Sequence, residues 1–286
     1  MGVELAVGNA ASHWTAMARA RGWAWVDGPG FLAVRSDSAH RVLLAAQPVV
    51  DAAALRRDLL AVFREWDSRQ LCLEDPTQSL DFTDLGFEAA LTMPMMVRDP
   101  GAPETPSLRR RPAVPVDTTA GGTQASGGEH ASGGQHVSGG EVSGDGLSVG
   151  EALDEEDHAA VERVVVEGFP ILQRLPWRRG QQFPADAVVP GQRSWLARVD
   201  GRPAAACVTH DDGVAVGFYW VATLPDFRSR GAGRAVMRAG LAAHPDRPAT
   251  LTATLLGEPL YRRLGFTERG LARWWQFPAT PVELRR

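Results

Sequence analysis

The sequence contains no lysine: all 30 of its basic residues are arginine, set against 34 aspartate and glutamate residues. Replacement of lysine by arginine is typical of GC-rich codon usage, so we expect a bacterial source. The formal net charge of −4 argues against a general nucleic-acid binder, because binding to the phosphate backbone needs a basic surplus. Only two cysteines, Cys72 and Cys207, are present, which excludes a disulfide scaffold and a cysteine-rich zinc module. No bound metal is expected.

Long apolar runs are also missing. No stretch approaches the roughly 20 residues that a membrane helix requires, and the N-terminus lacks the basic and apolar regions of a signal peptide. We therefore expect a cytoplasmic protein without a membrane partner. A length of 286 residues fits one large domain or two modest ones, and a content of 44% hydrophobic residues is ordinary for a globular chain.

Apolar periodicity disappears between residues 99 and 146. This segment begins rich in proline and continues as a degenerate six-residue repeat of the type Ala-Ser-Gly-Gly-Glu-His. Glycine and serine at this density bury too little surface to offset the entropy of ordering the chain. The sequence thus predicts a first domain over 1–98, a flexible linker rich in Pro, Gly and Ser over 99–146, and a second domain over 147–286.

The second block has clear strand and helix patterns. Turn signals at Asp200-Gly201 and Asp211-Asp212-Gly213 separate short apolar runs, which indicates antiparallel hairpins in its centre. The patterns predict strands over Leu147–Gly150, Ser194–Val199, Pro203–His210, Val214–Thr223, Thr250–Thr254 and Arg273–Phe277, and helices over Glu155–Glu167, Gly231–Ala243 and Gly257–Leu264.

A glycine motif follows the strand that ends before Pro225. Arg228-x-x-Gly231-x-Gly233 leads directly into a predicted helix. Glycines at the start of a helix let the backbone approach an anion, and the unpaired N–H groups of the first turn point towards it. The combination of strand, proline, arginine and helix predicts a pyrophosphate-binding turn, although glycine in such a position alone is most often turn chemistry.

A second motif follows that helix: a strand, a short helix, and Tyr261 shortly before Leu264-Gly265-Phe266. Together the two motifs, over roughly Leu147–Phe277, resemble the acetyl-CoA-binding and acid motifs of the GNAT superfamily of N-acetyltransferases. The resemblance implies an α+β fold with a mixed, mostly antiparallel central sheet flanked by helices. It implies acetyl-CoA as co-substrate.

The resemblance also assigns cofactor-binding residues. The backbone of the strand end would pair with pantetheine, the amides of the glycine turn would hold the pyrophosphate, and Thr254 would lie near pantetheine. The residues concerned are Val221, Ala222, Thr223, Arg228, Ser229, Arg230, Gly231, Ala232, Gly233, Arg234 and Thr254. Tyr261 matches the tyrosine beside the thioester sulfur.

The chemistry of acyl transfer to an amine sets three needs. The oxyanion at the carbonyl needs a donor, for which the N–H of Thr223 or Ala222 is available. The leaving thiolate needs an acid, and Tyr261, a phenol of ordinary pKa about 10, is the catalytic candidate, with packing in the core as the alternative. The amine needs a base. Many GNAT members carry a glutamate on the strand before the glycine turn, and Val214–Thr223 has no acid. His210, Asp212 and a water chain remain open as bases.

The acceptor side of the site is less defined. The proline-rich segment 169–192 has few periodic residues and is where an acceptor-side loop would lie. Several aromatic side chains are candidates for shaping the acceptor pocket, although aromatics are more often core residues. They are Phe169, Trp177, Phe183, Trp220, Trp274 and Trp275.

The first block resembles a shortened copy of the same fold. It has predicted strands over Trp23–Val26, Phe31–Val34, Arg41–Ala45, Arg69–Leu73 and Glu88–Val97, a helix over Asp51–Trp66, and a second Leu-Gly-Phe at 85–87. No Arg-x-x-Gly-x-Gly precedes its helix and no tyrosine precedes Leu85. We interpret it as a degenerate, non-catalytic GNAT-like domain in tandem with the second, or else as an unrelated small α+β domain.

The leading hypothesis is an acetyl-CoA-dependent N-acetyltransferase. It would transfer acetyl to a primary amine of a small molecule or to an amino-terminal acceptor, by direct attack in a ternary complex, with a homodimer as a candidate assembly. The alternative is a non-catalytic CoA- or ligand-binding GNAT-like regulatory or resistance module, supported by the missing strand glutamate. A nucleic-acid partner is not expected.

Overall fold

The computed structural model describes residues 2–37, 39–45, 51–66, 71–78, 80–105, 146–169 and 171–277. Most of the predicted linker, residues 106–145, lies outside the described residues, so its flexibility stays a prediction, as does the division into domains. Among the described residues, no helix is both long enough and apolar enough to cross a membrane.

The N-terminal half consists of five strands and two helices. Its bounds are α1 Val3–Arg21, β1 Trp25–Gly28, β2 Phe31–Val34, β3 His40–Leu44, α2 Ala52–Trp66, β4 Leu71–Asp75 and β5 Glu88–Arg98. The predicted strands and α2 are confirmed within two residues. Helix α1 was not predicted, because buried polar residues such as Asn9 and His13 interrupt its apolar face.

The C-terminal half follows the predicted order. Its bounds are β6 Leu147–Glu151, α3 Glu155–Gly168, β7 Gln192–Val199, β8 Arg202–Asp211, β9 Val216–Thr223, α4 Ala232–Ala242, β10 Ala249–Thr252, α5 Glu258–Arg263 and β11 Thr267–Phe277. Asp200 and Gly201 both have positive φ, which is the backbone conformation of the tight hairpin turn expected there. The last strand begins six residues earlier than predicted.

All eleven strands of the described residues form one sheet, in the order β1-β2-β3-β4-β11-β5-β10-β9-β8-β7-β6. The final strand β11 inserts between β4 and β5, and pairs antiparallel with both. Strand β5 in turn pairs antiparallel with β10. Each half therefore contributes a strand that pairs with a strand of the other half. The predicted α+β fold with a mostly antiparallel sheet flanked by helices is confirmed.

The two halves repeat one pattern. In each, an antiparallel hairpin is followed by a helix and a strand that returns parallel to the second hairpin strand: β2-β3-α2-β4 and β8-β9-α4-β10. They differ in how far the parallel pair stays together. Strands β3 and β4 pair over four residues, whereas β9 and β10 pair over only two. Only the second pair leaves an opening between its strands.

Candidate active site

The opening lies between β9 and β10. The two strands pair at Ala249–Val216 and Thr250–Gly217, and then part. Beyond this point β10 continues along β5, and the N–H of Ala253 still donates to Pro94 O at 2.8 Å, while β9 continues along β8. The backbone groups on the facing edges of the two strands are thereby left for another partner.

A bulge shapes β9 where it borders this opening. The register with β8 shifts between Ala206 and Val208, and Trp220 has a φ of 55°. Positive φ is strained for a bulky side chain, and strained residues of this kind cluster at functional sites. The N–H of Leu224 donates to Ala204 O on β8. Because antiparallel ladders alternate, the groups of Ala222 also face β8, and those of Thr223 face the opening.

The glycine turn lies at the end of β9, as predicted. Ser229 has a φ of 61° and Gly231 a φ of 86°, so the chain turns sharply before α4 begins at Ala232. The N–H groups of Gly231, Ala232 and Gly233 have no acceptor among the described residues. A Cβ at Gly233 would lie 2.8 Å from Thr223 Oγ1 and 3.8 Å from Leu260 Cδ2. Because Gly233 has no side chain, the end of β9, α4 and α5 can pack closely together.

The arginines of the motif have different surroundings. Arg228 Nε donates to Thr223 O at 3.3 Å, and Arg230 lies 3.6 Å from Asp200 in an exposed ion pair. The guanidinium of Arg234, in the first turn of α4, donates to Glu104 Oε2 at 2.7 Å. Glu104 also pairs with Arg238, and the two arginines lower the pKa of its carboxyl group to about 2. The beginning of the predicted linker is thus tied to α4.

Tyr261 lies on α5, directly after Leu260, which borders the glycine turn. The side chain is 7% exposed and packs edge-on against Phe266, with ring centroids 6.1 Å apart. Burial raises the pKa of its phenol well above the ordinary value, so the group stays protonated at physiological pH. Its hydroxyl forms no hydrogen bond to any described residue. The structure therefore offers a protonated donor and, equally, the packing role considered as its alternative.

The other predicted cofactor residues lie close by but differ in what they can offer. Val221 packs into the core on the α4 side, next to the bulge. The hydroxyl oxygen of Thr254 accepts a hydrogen bond of 3.2 Å from the N–H of Gly257, the residue before α5. The side chain of Thr254 therefore already has a structural partner. The assignments of these residues to cofactor binding stay predictions.

The sequence did not indicate a polar cluster that lies where helix α1 packs over the sheet, next to the opening. Helix α1 crosses from the N-terminal half and places Asn9 over Gly217, the last residue of β9 that pairs with β10. Asn9 Oδ1 accepts a hydrogen bond of 2.6 Å from Tyr219 Oη, and Asn9 Nδ2 donates to Asp212 Oδ2 at 2.9 Å. The residues are about two hundred positions apart, so no local pattern could have indicated the contact.

The acceptor-side segment is fastened to α3 by one carboxylate. Glu162 is 1% exposed and accepts four N–H groups, from Trp177 Nε1 and from the backbones of Gly180, Gln182 and Phe183, at 2.6–3.2 Å. Phe169 and Phe183 both pack edge-on against Trp220. These aromatics lie beside the bulge, and their contact with an acceptor stays a prediction.

The hypothesis does not hold for the last two aromatics. Trp275 is 2% exposed and packs in the core of the N-terminal half with Phe82. Trp274 lies near α1 and stands 5.4 Å from the Arg41 guanidinium. Both were candidates for the acceptor pocket only as aromatic side chains, for which a place in the core is more common. The insertion of β11 between β4 and β5 takes them away from that candidate pocket.

The residues present suit a diphosphate-bearing thioester. A turn of unpaired amides, a close approach that a Cβ would fill, and a strand edge open for an extended chain are the features that such a group requires. No group of three or more metal-ligating side chains occurs within the described ranges.

Comparisons with known proteins agree with this geometry. Residues 190–268 match the model of the acetyltransferase (GNAT) domain, a range that contains β7 to α5 and the glycine turn. None of the curated proteins matches the chain.

Solved structures share the fold. A GCN5-related N-acetyltransferase from Kribbella flavida is 20% identical, with a TM-score of 0.62 over 99% of this chain and 98% of that one. A functionally unknown conserved protein from Staphylococcus epidermidis has a TM-score of 0.55 at 11% identity, over 89% and 93% of the two chains. A GCN5-related N-acetyltransferase from Sphaerobacter thermophilus has a TM-score of 0.51 at 15% identity, over 86% and 76%.

The similarity to the Kribbella flavida protein extends over both halves of this chain, which share the repeated strand pattern described above. Residues 190–268, in the C-terminal half of this chain, thus match the acetyltransferase domain of the GNAT superfamily, and the N-terminal half has a GNAT-like fold.

Proposed function

We propose that the chain is an acetyl-CoA-dependent N-acetyltransferase that acetylates a primary amine of a small molecule or an amino-terminal acceptor, in a ternary complex. The observation that carries this proposal is the opening between β9 and β10, which ends at the unpaired amides of Gly231, Ala232 and Gly233. An extended pantetheine suits the first feature and a pyrophosphate suits the second. Acetyl-CoA would supply the acetyl group as an activated thioester.

Residues of this chain would do the remaining work. The N–H of Thr223 faces the opening and would stabilise negative charge on the carbonyl oxygen. The phenol of Tyr261, protonated and without a hydrogen-bond partner in the described part of the chain, would give its proton to the departing sulfur. The aromatic group of Phe169, Phe183 and Trp220 would contact the acceptor. A cytoplasmic location, a homodimer and the lack of nucleic-acid partners belong to the same proposal.

A second candidate is a CoA-binding module without turnover. One observation favours it: β9 carries no carboxylate, and its residue at the vertex of the opening is Gly217, which Asn9 covers. A protein of this kind would keep the glycine turn and bind CoA without acetylating an amine.

Two measurements on the full chain decide between the candidates. Calorimetry measures the binding of CoA and acetyl-CoA, and a thiol reagent measures CoA release with a panel of small amines and of peptides with free amino termini. Amine-dependent thiol release with acetylated product supports the enzyme. Tight binding without release across the panel favours the binding module, and absence of CoA binding overturns both.

A further inference from the structure

A pair of buried imidazoles lies in the polar cluster beneath α1. His210 is the residue of β8 that pairs with Gly217, so its side chain lies on the same face of the sheet as the vertex of the opening. His13 of α1 stacks on the ring of Tyr219 with centroids 3.9 Å apart, and the two imidazole centroids are 5.5 Å apart. Both histidines are almost fully buried, at 0% and 3% exposure.

Each imidazole leaves one nitrogen without a partner among the described residues: Nε2 of His13 and Nδ1 of His210. The other nitrogens are engaged. Gln192 Nε2 lies 3.3 Å from His13 Nδ1, and Ser12 Oγ lies 3.0 Å from His210 Nε2. Buried polar atoms without a partner are uncommon in proteins, and a catalytic role is one of the reasons for them.

The partners distinguish the two rings. The Gln192 amide donates to His13 Nδ1, so the proton of that neutral ring lies on Nε2 and its unpartnered nitrogen is a donor. A serine hydroxyl both accepts and donates. When Ser12 Oγ accepts the N–H of His210 Nε2, the unpartnered Nδ1 of His210 carries a lone pair. In that tautomer His210 presents a basic nitrogen, whereas His13 does not.

We propose that His210 is the base that takes the proton from the acceptor amine, and that Ser12 is the positioning residue that orients its imidazole. The inference rests on the proposed N-acetyltransferase function. It gives the N-terminal half a part in the chemistry, because Ser12 belongs to α1. It also explains how the reaction could proceed without an acidic residue on β9, because the base then comes from the neighbouring strand β8, on the same face of the sheet.

The proton balance is complete. The ammonium form of the acceptor gives one proton to His210 Nδ1, and the neutral nitrogen forms the C–N bond while the C–S bond breaks. The sulfur receives a proton from Tyr261, and the second proton of the amine nitrogen passes through solvent to the Tyr261 phenolate as the amide forms. The imidazolium returns its proton to solvent.

The charged and titratable groups around His210 come from three elements. His13 lies on α1, Asp211 and Asp212 lie at the end of β8, and Tyr219 lies on β9. Burial lowers the pKa of His210 and the two aspartates oppose that effect. The ring is therefore neutral at pH 7 and ready to accept a proton. Tyr219 stays neutral, because burial raises its pKa well above the ordinary value.

The test combines NMR titration of histidine-labelled full-length protein with pH profiles of kcat/KM, using the best amine of the panel. We expect the pKa of the His210 ring to lie below the ordinary value for histidine because of its burial, and the acid limb of kcat/KM to follow the titration of this ring. His210→Gln should lower kcat/KM at pH 7 by roughly 10²–10⁴-fold and remove that limb, with CoA affinity unchanged. Ser12→Ala should retain the limb but displace it. His158→Gln, an exposed histidine of α3, is the matched control.

The outcomes separate this inference from the function on which it rests. An active wild type whose His210→Gln variant is folded and keeps both its rate and its acid limb overturns the role of His210 alone. A His210 ring that stays neutral from pH 5 to 9 overturns it too, even if the variant does not fold. A wild type that binds CoA and acetylates nothing contradicts the enzyme instead, and the titration then still decides whether His210 can act as a base.

Discussion

The hydroxyl group of Thr223 packs against the backbone of Gly233. A Cβ atom on Gly233 would lie only 2.8 Å from Thr223 Oγ1. One residue is at the end of β9 and the other in the first turn of α4. Their contact sets the distance between the strand edge and the amides of the glycine turn. The geometry of the site thus depends on residue 233 having no side chain.

Gly233→Ala should weaken CoA binding about tenfold or more, equivalent to about 1.4 kcal/mol, because the new methyl group pushes α4 away from Thr223. Calorimetry with CoA is the measurement. Gly150→Ala is the control, since nothing lies within 4 Å of a Cβ at Gly150. Unchanged affinity in a folded Gly233→Ala protein would contradict the assignment of the turn.

Tyr261→Phe should lower kcat by roughly 10²–10⁴-fold while acetyl-CoA affinity stays the same, because the ring and its packing against Phe266 remain. The raised pKa of the phenol adds a second expectation: kcat in the wild type should show no falling limb from this group below pH 10. Steady-state rates from pH 6 to 10 provide both readouts. A folded variant with a near-normal rate would leave Tyr261 as a packing residue.

Glu104→Gln should lower the melting temperature by about 2 °C at pH 7, because a partly exposed ion pair contributes about 0.5–1 kcal/mol. The folded-state pKa of Glu104, about 2, lies below the ordinary 4.5, so this stability is complete above pH 4.5 and is lost as the pH falls towards 2. Melting curves of both proteins should therefore converge at low pH. The exposed Glu65→Gln is the control, and a difference that persists at pH 2 would refute the ion-pair explanation.

Glu162→Gln should release the acceptor-side segment 171–191. The neutral amide accepts fewer hydrogen bonds, so we expect a loss of about 1–3 kcal/mol in the free energy of unfolding and faster proteolytic cleavage near Trp177 and Phe183. Denaturant unfolding and limited proteolysis measure the two effects. Glu167→Gln on the same helix removes only an exposed pair with Arg163 and should change neither. Equal cleavage rates in both variants would argue against the anchoring role.

Much of the C-terminal fold could be predicted because its signals are local. Hairpin turns such as Asp200-Gly201 need particular backbone angles, and Gly231 before α4 supplies a φ of 86° that other residues rarely adopt. The position of the glycine turn relative to a strand and a helix is contained in about fifteen consecutive residues.

The sequence by itself thus determined the order of strands and helices after α1, the glycine turn and the candidate acid Tyr261. Only the tertiary structure decided that β11 enters the sheet between β4 and β5, that Glu104 pairs with Arg234, and that α1 brings Asn9 and Ser12 to the vertex of the opening. The reason is physical. Strand pairing and buried polar contacts join residues that are far apart in the chain, and their free energy depends on register and burial that no short pattern encodes.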